Sequence, residues 1–255
     1  MQAFNCQPET RQKDLQLTNS RSLLTCLLPP QACLGCRTPV YRELALCEDC
    51  ESELPWQPPG CEQCGLSAGE TLHVGRCFHC QQSPPAFDHC HSVFAYEHPV
   101  ADMIRRFKDH GAFAPARCLA TLLAAAFRQY YLEQGLWPDM LAPVPLHNRK
   151  IRTRGFNQSV WMARFVHRRT GVPLSLRACV RRATPHSQRG LRAQARKLNM
   201  QDVFCAGADA DLTAGRHIAI IDDVVTTTAT ANAMSQVLRQ HGAARIDVWA
   251  LARVN

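Results

Sequence analysis

The segment His217-Ile-Ala-Ile-Ile-Asp-Asp-Val-Val-Thr-Thr-Thr-Ala-Thr230 decides the fold class of this chain. Its apolar residues, Ile218 to Ile221, are typical of a buried strand that ends at two carboxylates, Asp222 and Asp223. A hydroxyl-rich run then leads into a helical pattern, and another apolar strand follows. Because strand, helix and strand in this order form a βαβ unit, we expect an α/β fold with a parallel sheet and helices on both faces. The other apolar patterns predict strands at residues 92–96, 140–144 and 246–251 and helices through residues 100–107, 118–131, 160–167 and 231–241.

The acid pair and the turn after it predict a site for a ribose phosphate. Ligands of open α/β sheets bind at the carboxyl ends of the strands, where Asp222 and Asp223 stand. The start of a helix exposes free amide groups and the positive end of its dipole, and the hydroxyls within residues 226–230 add donors, so this turn suits a phosphate. Carboxylates beside an anion site repel the anion unless they bind sugar hydroxyls or a magnesium ion. The combination therefore indicates a ribose phosphate.

Two other interpretations of this segment remain open. An apolar strand that ends in two aspartates also occurs as the magnesium-binding half of a P-loop ATPase, although the motif G-x-x-x-x-G-K-[ST] does not occur in the sequence. Alternatively, the aspartates cap a helix and the threonines bind no ligand. Capping alone does not require five consecutive hydroxyl-bearing or small residues, so the ribose phosphate interpretation is favoured.

Eight of the fourteen cysteines form four C-x-x-C pairs in the first third of the chain. Four thiolates complete one tetrahedral zinc site, so eight predict two structural zinc ions. Redox-active dithiols would need a thioredoxin-like βαβ context, which is absent around these pairs, whereas spacing alone does not exclude iron–sulfur clusters. The nearly equal gaps leave the pairing open, either sequential or cross-braced. The predicted ligands are Cys33, Cys36, Cys47, Cys50, Cys61, Cys64, Cys77 and Cys80.

Positive charge is concentrated in residues 140–201, which hold 14 of the 29 Lys and Arg residues and none of the 21 Asp and Glu residues. The rest of the chain is net acidic. Such a window should face an anionic partner, such as a polyphosphate, a nucleic acid or an acidic lipid surface. Within it, the run from Arg177 to Lys197 lacks interleaved aromatic residues, so a solvated or mobile segment is favoured there over a dedicated nucleic-acid groove.

The apolar runs also limit the location of the protein. None approaches the length of a membrane span, which predicts a chain without an integral membrane segment. The apolar turn at residues 23–28 is too short and too late for a signal peptide, and cysteines spaced for metal indicate a cytoplasmic protein. We expect three parts: a tail with a short apolar clip (1–30), a double zinc-ribbon-like module (31–84) and the α/β domain (85–255).

The acid pair and its threonine turn resemble the phosphoribosyl pyrophosphate (PRPP) motif of type I phosphoribosyltransferases. More narrowly, the chain resembles the ComF/GntX family, which is linked to competence and the use of external DNA. The most family-specific motif is Arg154-Gly-Phe-Asn-Gln158. The other motifs that carry the resemblance are the Cys pairs, Ala95-Tyr96 with Ile104 to Lys108, Pro143-Val-Pro-Leu146, Gln188-x-x-Leu191 with Arg196, Asn199 and Phe204, and Ile221-Asp-Asp-Val-Val-Thr-Thr227.

The resemblance implies a type I phosphoribosyltransferase-like fold for the α/β domain and a role for each residue of the site. Asp222 and Asp223 are expected to hold the ribose hydroxyls of PRPP, which binds together with Mg²⁺. A flexible loop, from Gln188 to Asn199, is expected to close over the site, and Arg154 to bind an anionic group. The other implied PRPP-binding residues are Thr226, Thr227, Thr228, Ala229 and Thr230 for the 5′-phosphate, Pro145, Leu146 and His147 for the pyrophosphate, and Gln188 and Arg196 in the loop.

The chain departs from the family pattern at one position. The usual loop reads Thr-Thr-Gly-Ser/Ala-Thr, so Thr228 places a β-branched side chain where glycine lets phosphate come close.

The sequence leads to two hypotheses for the function. The first hypothesis is a phosphoribosyltransferase-like protein that binds PRPP and magnesium and acts in DNA uptake, competence or the use of external DNA. The second is a non-catalytic accessory module that binds single-stranded DNA and keeps a vestigial PRPP site. The resemblance also suggests a DNA-uptake helicase or recombination protein as a partner, while the acceptor substrate is not indicated.

Overall fold

The computed structural model describes residues 30–67, 75–182 and 203–255. The predicted apolar clip and the predicted loop from Gln188 to Asn199 lie outside these ranges. The strands are β1 (Gln31–Ala32), β2 (Pro39–Val40), β3 (His89–Ala95), β4 (Met140–Pro143), β5 (Cys179–Arg181), β6 (Phe204–Ala206), β7 (His217–Val225) and β8 (Arg245–Arg253). The helices are α1 (Glu48–Ser52), α2 (Phe78–Gln82), α3 (Val100–His110), α4 (Phe113–Gln134), α5 (Asn148–Arg154), α6 (Gln158–Thr170) and α7 (Ala229–Gln240), with a 3₁₀ turn at Ala210–Thr213.

The centre of the fold is a four-stranded sheet with the strand order β3-β8-β7-β4. Every neighbouring pair in this sheet is parallel. Strand β7 lies inside the sheet, with Ile221 opposite Pro143 of β4 on one side and opposite Trp249 of β8 on the other. The carboxyl ends of β4, β7 and β8 therefore meet at one edge of the sheet. The predicted parallel α/β fold is confirmed.

Helices cover both faces of the sheet, as predicted, and β7 contributes side chains to each face. Ala219 and Ile221 pack in one hydrophobic core with residues of α4 and α6. Ile218 and Ile220 point the other way, into a second core that includes Met234 of α7. A strand buried on both faces needs apolar residues at successive positions, which explains the continuous apolar run at its start.

The strand and helix around the acid pair are longer than the sequence predicted. Strand β7 continues to Val225, so Asp222 and Asp223 lie within its carboxyl-terminal part rather than beyond its end. Its backbone pairs with β8 as far as Val225 opposite Arg253. The hydrogen-bonded strand therefore extends beyond the apolar run from which it was predicted. Helix α7 begins at Ala229, two residues before the predicted start.

A buried polar network joins α4 to the amino-terminal ends of β7 and β8. The carboxylate of Asp247, which has no solvent exposure, accepts hydrogen bonds from Tyr131 Oη (2.8 Å) and His217 Nε2 (2.8 Å) and lies 3.1 Å from Arg245 Nη2. Trp249 Nε1 in turn donates to Tyr131 Oη (3.0 Å). Burial opposes ionisation of Asp247, but the hydrogen bonds from His217 and Arg245 outweigh it and lower the pKa of this carboxyl to about 2.

The cysteine-rich module packs against the sheet rather than around a separate apolar centre. Its buried residues Leu44 and Leu54 belong to the same core as Phe94 of β3. The module is also joined to β3 by backbone hydrogen bonds, including one from the amide of Gln57 to the carbonyl of Val93 (2.9 Å). Its position relative to the sheet is thereby fixed.

Within residues 30–67, 75–182 and 203–255, no helix is both long enough and apolar enough to cross a bilayer.

Candidate functional site

The first four cysteines of the module form one metal-binding cluster. The Sγ atoms of Cys33, Cys36, Cys47 and Cys50 all lie within 4.8 Å of one another. Cys47 Sγ lies 3.8 Å from Cys33 Sγ and 3.6 Å from Cys36 Sγ. In a tetrahedral site with Zn–S bonds of roughly 2.3 Å, neighbouring sulfur atoms are about 3.8 Å apart. The cluster therefore has the dimensions of a tetrathiolate zinc site.

The second cluster repeats this arrangement with Cys61, Cys64, Cys77 and Cys80. Cys64 Sγ and Cys77 Sγ are 3.7 Å apart. Each cluster combines two consecutive C-x-x-C pairs, so the pairing that the sequence left open is sequential and not cross-braced. The described histidines of this region are not part of either cluster.

Backbone amides stabilise the thiolates that zinc requires. The amide of Cys47 donates to Cys33 Sγ (3.3 Å), and the amide of Cys77 donates to Cys61 Sγ (3.2 Å). Burial opposes ionisation of Cys33 and Cys61, but hydrogen bonds from these and neighbouring amides outweigh it and lower their pKa values to about 6 and about 7. Each cluster therefore holds one cysteine whose thiolate is favoured by the protein itself. Since four thiolates leave no open ligand position, the ions are structural.

The acid pair lies at the carboxyl end of β7, between α3 and α6. Asp222 is buried, and its Oδ1 accepts hydrogen bonds from Ser159 Oγ (3.0 Å) and from the amide of Asp223 (2.9 Å). Asp223 is ion-paired to Lys108, whose Nζ lies 2.5 Å from Asp223 Oδ2. Burial, and then the charge of Asp223, raise the pKa of Asp222 to about 8. The carboxyl of Asp222 is therefore largely protonated at neutral pH.

The turn after β7 forms the other side of the site. Thr228 precedes α7 with φ of 59° and ψ of −4°, which is the left-handed region, and its hydroxyl donates to the carbonyl of Thr227 (2.6 Å). Its side chain makes no capping hydrogen bond. The first amides of a helix have no partner within the helix, so the start of α7 leaves donors for a ligand.

Asp222 and the turn after β7 line one open pocket. Of the predicted residues, Asp222, Thr226, Thr228, Ala229 and Thr230 line it directly, while Asp223 and Thr227 do not. The pocket thus brings together a carboxyl group, threonine side chains and the start of a helix. This set of groups can bind hydroxyls at one end and an anion at the other.

The predicted residues after β4 lie at the same edge of the sheet, because Val144 bonds through its amide to the carbonyl of Ile221 (3.0 Å). Pro145, Leu146 and His147 follow it, outside the pocket lining. His147 precedes α5, and its Nδ1 accepts a hydrogen bond from the amide of Arg149 (3.1 Å).

Comparison with known proteins adds to this geometry. Residues 23–81 match the family model described as double zinc ribbon domain. Competence protein F of Haemophilus influenzae is 31% identical over 224 residues, which cover 87% of this chain and 96% of that protein. DNA utilization protein YhgH of Salmonella typhi is 32% identical over 230 residues, which cover 89% of this chain and 99% of that protein. The chain belongs to the ComF family. The resemblance found in the sequence is confirmed, and so are two zinc sites.

Among solved structures, the purine phosphoribosyltransferase of Pyrococcus horikoshii shares 18% sequence identity with the chain. The match covers 53% of this chain and 70% of that chain with a TM-score of 0.32. The likeness is too weak to decide the fold, which rests on the strand order described above.

The most specific ComF motif, residues 154–158, connects α5 to α6. Arg154 is the last residue of α5, with Nη2 3.9 Å from Asp109 Oδ1, and α6 starts at Gln158. Gly155 ends α5 with φ of 80°, and Asn157 caps α6, accepting hydrogen bonds from the amides of Ser159 and Val160. The motif therefore directs α6, and with it Ser159, toward Asp222.

Gln188 and Arg196 of the predicted loop lie outside the described residues. Three side chains near the acid pair were not predicted from the sequence. They are Lys108 and Ser159, which contact the acids directly, and Arg181, whose charge interacts with Asp222. The sequence contains a weak signal for Lys108, because it is the last residue of a segment, Ile104 to Lys108, that carries the ComF resemblance. Ser159 and Arg181 belong to no sequence motif that would have indicated a role.

Proposed function

We propose that this protein binds PRPP with Mg²⁺ in the pocket between β7 and α7 and acts in DNA uptake, competence or the use of external DNA. The observation that carries the PRPP part is the joining of Asp222 to the start of α7 in one pocket. The biological part is supported by the names of two relatives, one a competence protein and the other a DNA utilization protein.

Each group of the pocket has a definite task in this proposal. The carboxyls of Asp222 and Asp223 accept hydrogen bonds from two ribose hydroxyls, and Ser159 and Lys108 hold those carboxyls in place. Amides at the start of α7 donate to the 5′-phosphate, assisted by the hydroxyls of Thr226 and Thr230. The β4–α5 turn approaches the pyrophosphate from the neighbouring strand. Positioning and charge neutralisation are then the main contributions of the protein to a phosphoribosyl transfer.

The donor set fits a magnesium ion that enters with the ligand. Carboxylate oxygens are ligands that Mg²⁺ prefers, but Asp222 is buried and Asp223 is already paired to Lys108. These residues would accordingly hold the ion together with ligand oxygens and water, and not as a complete set of protein ligands. When bound, the ion supplies charge neutralisation for the pyrophosphate.

Single-stranded DNA and a DNA-uptake helicase or recombination protein stay predicted partners. The short helix α5 supports an anionic partner, since it carries Arg149, Lys150, Arg152 and Arg154 without an acidic residue, and none of its residues is buried. We also propose a cytoplasmic location, because the described cysteines are free and eight of them are arranged for metal.

Calorimetric titration with PRPP in the presence of Mg²⁺ tests the proposal. The wild-type protein is expected to bind, and the double variant Asp222→Asn, Asp223→Asn is expected to lose the binding. Asp211→Asn is the matched control, because its side chain is 99% exposed and far from the pocket lining. Absence of heat with the wild type, together with salt-sensitive binding of single-stranded DNA, would favour the accessory module instead.

A further inference from the structure

The strand pair β5–β6 carries an arginine that the proposed site does not yet use. Arg181, the last residue of β5, lies opposite Phe204 of β6, and its guanidinium carbon is 5.6 Å from the centre of the Phe204 ring. Such stacking holds the planar guanidinium in one orientation while its N–H groups stay available at the edge. Within the described part of the chain, Arg181 has no acidic partner at ion-pair distance.

The surroundings of this arginine connect it to the pocket. Phe204 is buried in the same hydrophobic core as Val225 and Ala231, and both of these residues line the pocket. Phe204 is therefore packed into the core that also holds the apolar part of the pocket lining. Arg181 is half-buried and interacts electrostatically with Asp222.

Partial burial of a guanidinium without a carboxylate at ion-pair distance costs free energy, and binding of an anion offsets this cost. Burial lowers the pKa of Arg181, which agrees with an environment that lacks a full counter-charge. Asp222 supplies little of that charge near neutral pH, because burial and the charge of Asp223 raise its pKa to about 8. The free N–H groups match the geometry of phosphate oxygens, which arginine binds through two parallel hydrogen bonds.

We propose that Arg181, held flat on Phe204, binds a phosphate group of the ligand whose ribose lies at Asp222 and Asp223. This inference rests on the proposed function and adds a binding residue to it. The arginine then supplies a cation for the phosphate, while Lys108 is paired to Asp223 of the acid pair.

The test compares the affinities of three variants for PRPP with Mg²⁺ and for ribose 5-phosphate by calorimetry. Arg181→Met keeps much of the stacking volume but removes the charge, and its affinity for PRPP is expected to fall about tenfold or more. Arg181→Lys keeps the charge and should lose less affinity for PRPP than Arg181→Met does. Arg177→Met is the matched control, since Arg177 precedes the same strand, is 69% exposed and pairs with Asp209 instead.

Ribose 5-phosphate identifies the phosphate that Arg181 binds. An equal loss for both ligands assigns it to the 5′-phosphate, whereas a loss confined to PRPP assigns it to the pyrophosphate, and either result supports the proposal. If Arg181→Met, with an unchanged melting temperature, binds PRPP as tightly as Arg177→Met, the assignment of Arg181 is wrong while the proposed function stands. If the wild type binds neither ligand, the assignment of Arg181 and the proposed function are both wrong.

Discussion

At the scale of single residues, Thr228 determines how closely a phosphate can approach α7. A β-branched residue in the left-handed region is strained, commonly by about 1 to 3 kcal/mol. The family pattern has glycine at this position, which adopts that backbone without a Cβ clash. In this chain threonine occupies the position, at φ of 59°.

Thr228→Gly is expected to stabilise the protein by about 1 kcal/mol, because relief of the strain exceeds the added entropy of the unfolded chain. Denaturant unfolding measures the change. Thr226→Gly is the matched control: Thr226 belongs to the same turn, but its φ is not positive, so glycine there should destabilise. Equal destabilisation by both substitutions would contradict this account of the turn.

The raised pKa of Asp222 predicts that the stability of the folded protein depends on pH. Its pKa in the folded protein is raised from 3.8 to about 8, so the folded state binds the proton more tightly than the unfolded state does. The stabilisation from the protonated carboxyl is complete below about pH 4 and is lost as the pH rises through 8. Asp222→Asn carries no such charge, so its stability relative to wild type should grow by about 4 kcal/mol between pH 5 and pH 8.5.

Chemical denaturation at the two pH values measures this difference. Asp211→Asn, an exposed aspartate, should show no such trend. If the difference between Asp222→Asn and wild type is the same at pH 5 and pH 8.5, the carboxyl of Asp222 is ionised throughout this range and the buried, protonated acid is excluded.

At the scale of elements, α4 is attached to the sheet through the hydrogen bonds around Asp247. Tyr131 is the bridging residue, since it donates to Asp247 and accepts from Trp249. Tyr131→Phe removes both bonds and leaves the indole N–H buried without its acceptor. We expect a loss of about 1 to 3 kcal/mol in the free energy of unfolding. A loss below 0.5 kcal/mol in urea unfolding would mean that the network does not hold α4.

Because each zinc ribbon has its own four ligands, we expect a substitution in one cluster to remove one zinc ion and leave the other. Cys36→Ser removes an exposed ligand from the first cluster, so one of the two zinc ions should be lost and the melting temperature should fall. Cys205→Ser is the control, because Cys205 is half-buried and outside both clusters. Metal analysis after gel filtration distinguishes the two variants; two ions retained by Cys36→Ser would contradict the assignment of the first cluster.

At the scale of the whole molecule, the features predicted from sequence are those that local patterns encode. The alternating faces of β7 require a continuous apolar run, and the eight ligands of the clusters recur at fixed C-x-x-C spacing. Helix α5 was missed because none of its residues is buried, so it has no apolar periodicity. Lys108 and Arg181 were missed for another reason: only the packing of α3 and of β5–β6 against the sheet brings them to the acid pair. The boundaries at residues 30 and 84 stay predictions.

The central claim is that the carboxyl end of β7 and the start of α7 together bind one ribose phosphate. A crystal structure of the protein grown with saturating PRPP and Mg²⁺ tests it most directly. The account predicts the ribose hydroxyls within hydrogen-bond distance of Asp222 and Asp223 and the 5′-phosphate at the amides of residues 229–231. Density for PRPP at any other place, or an empty pocket at saturation, would contradict it.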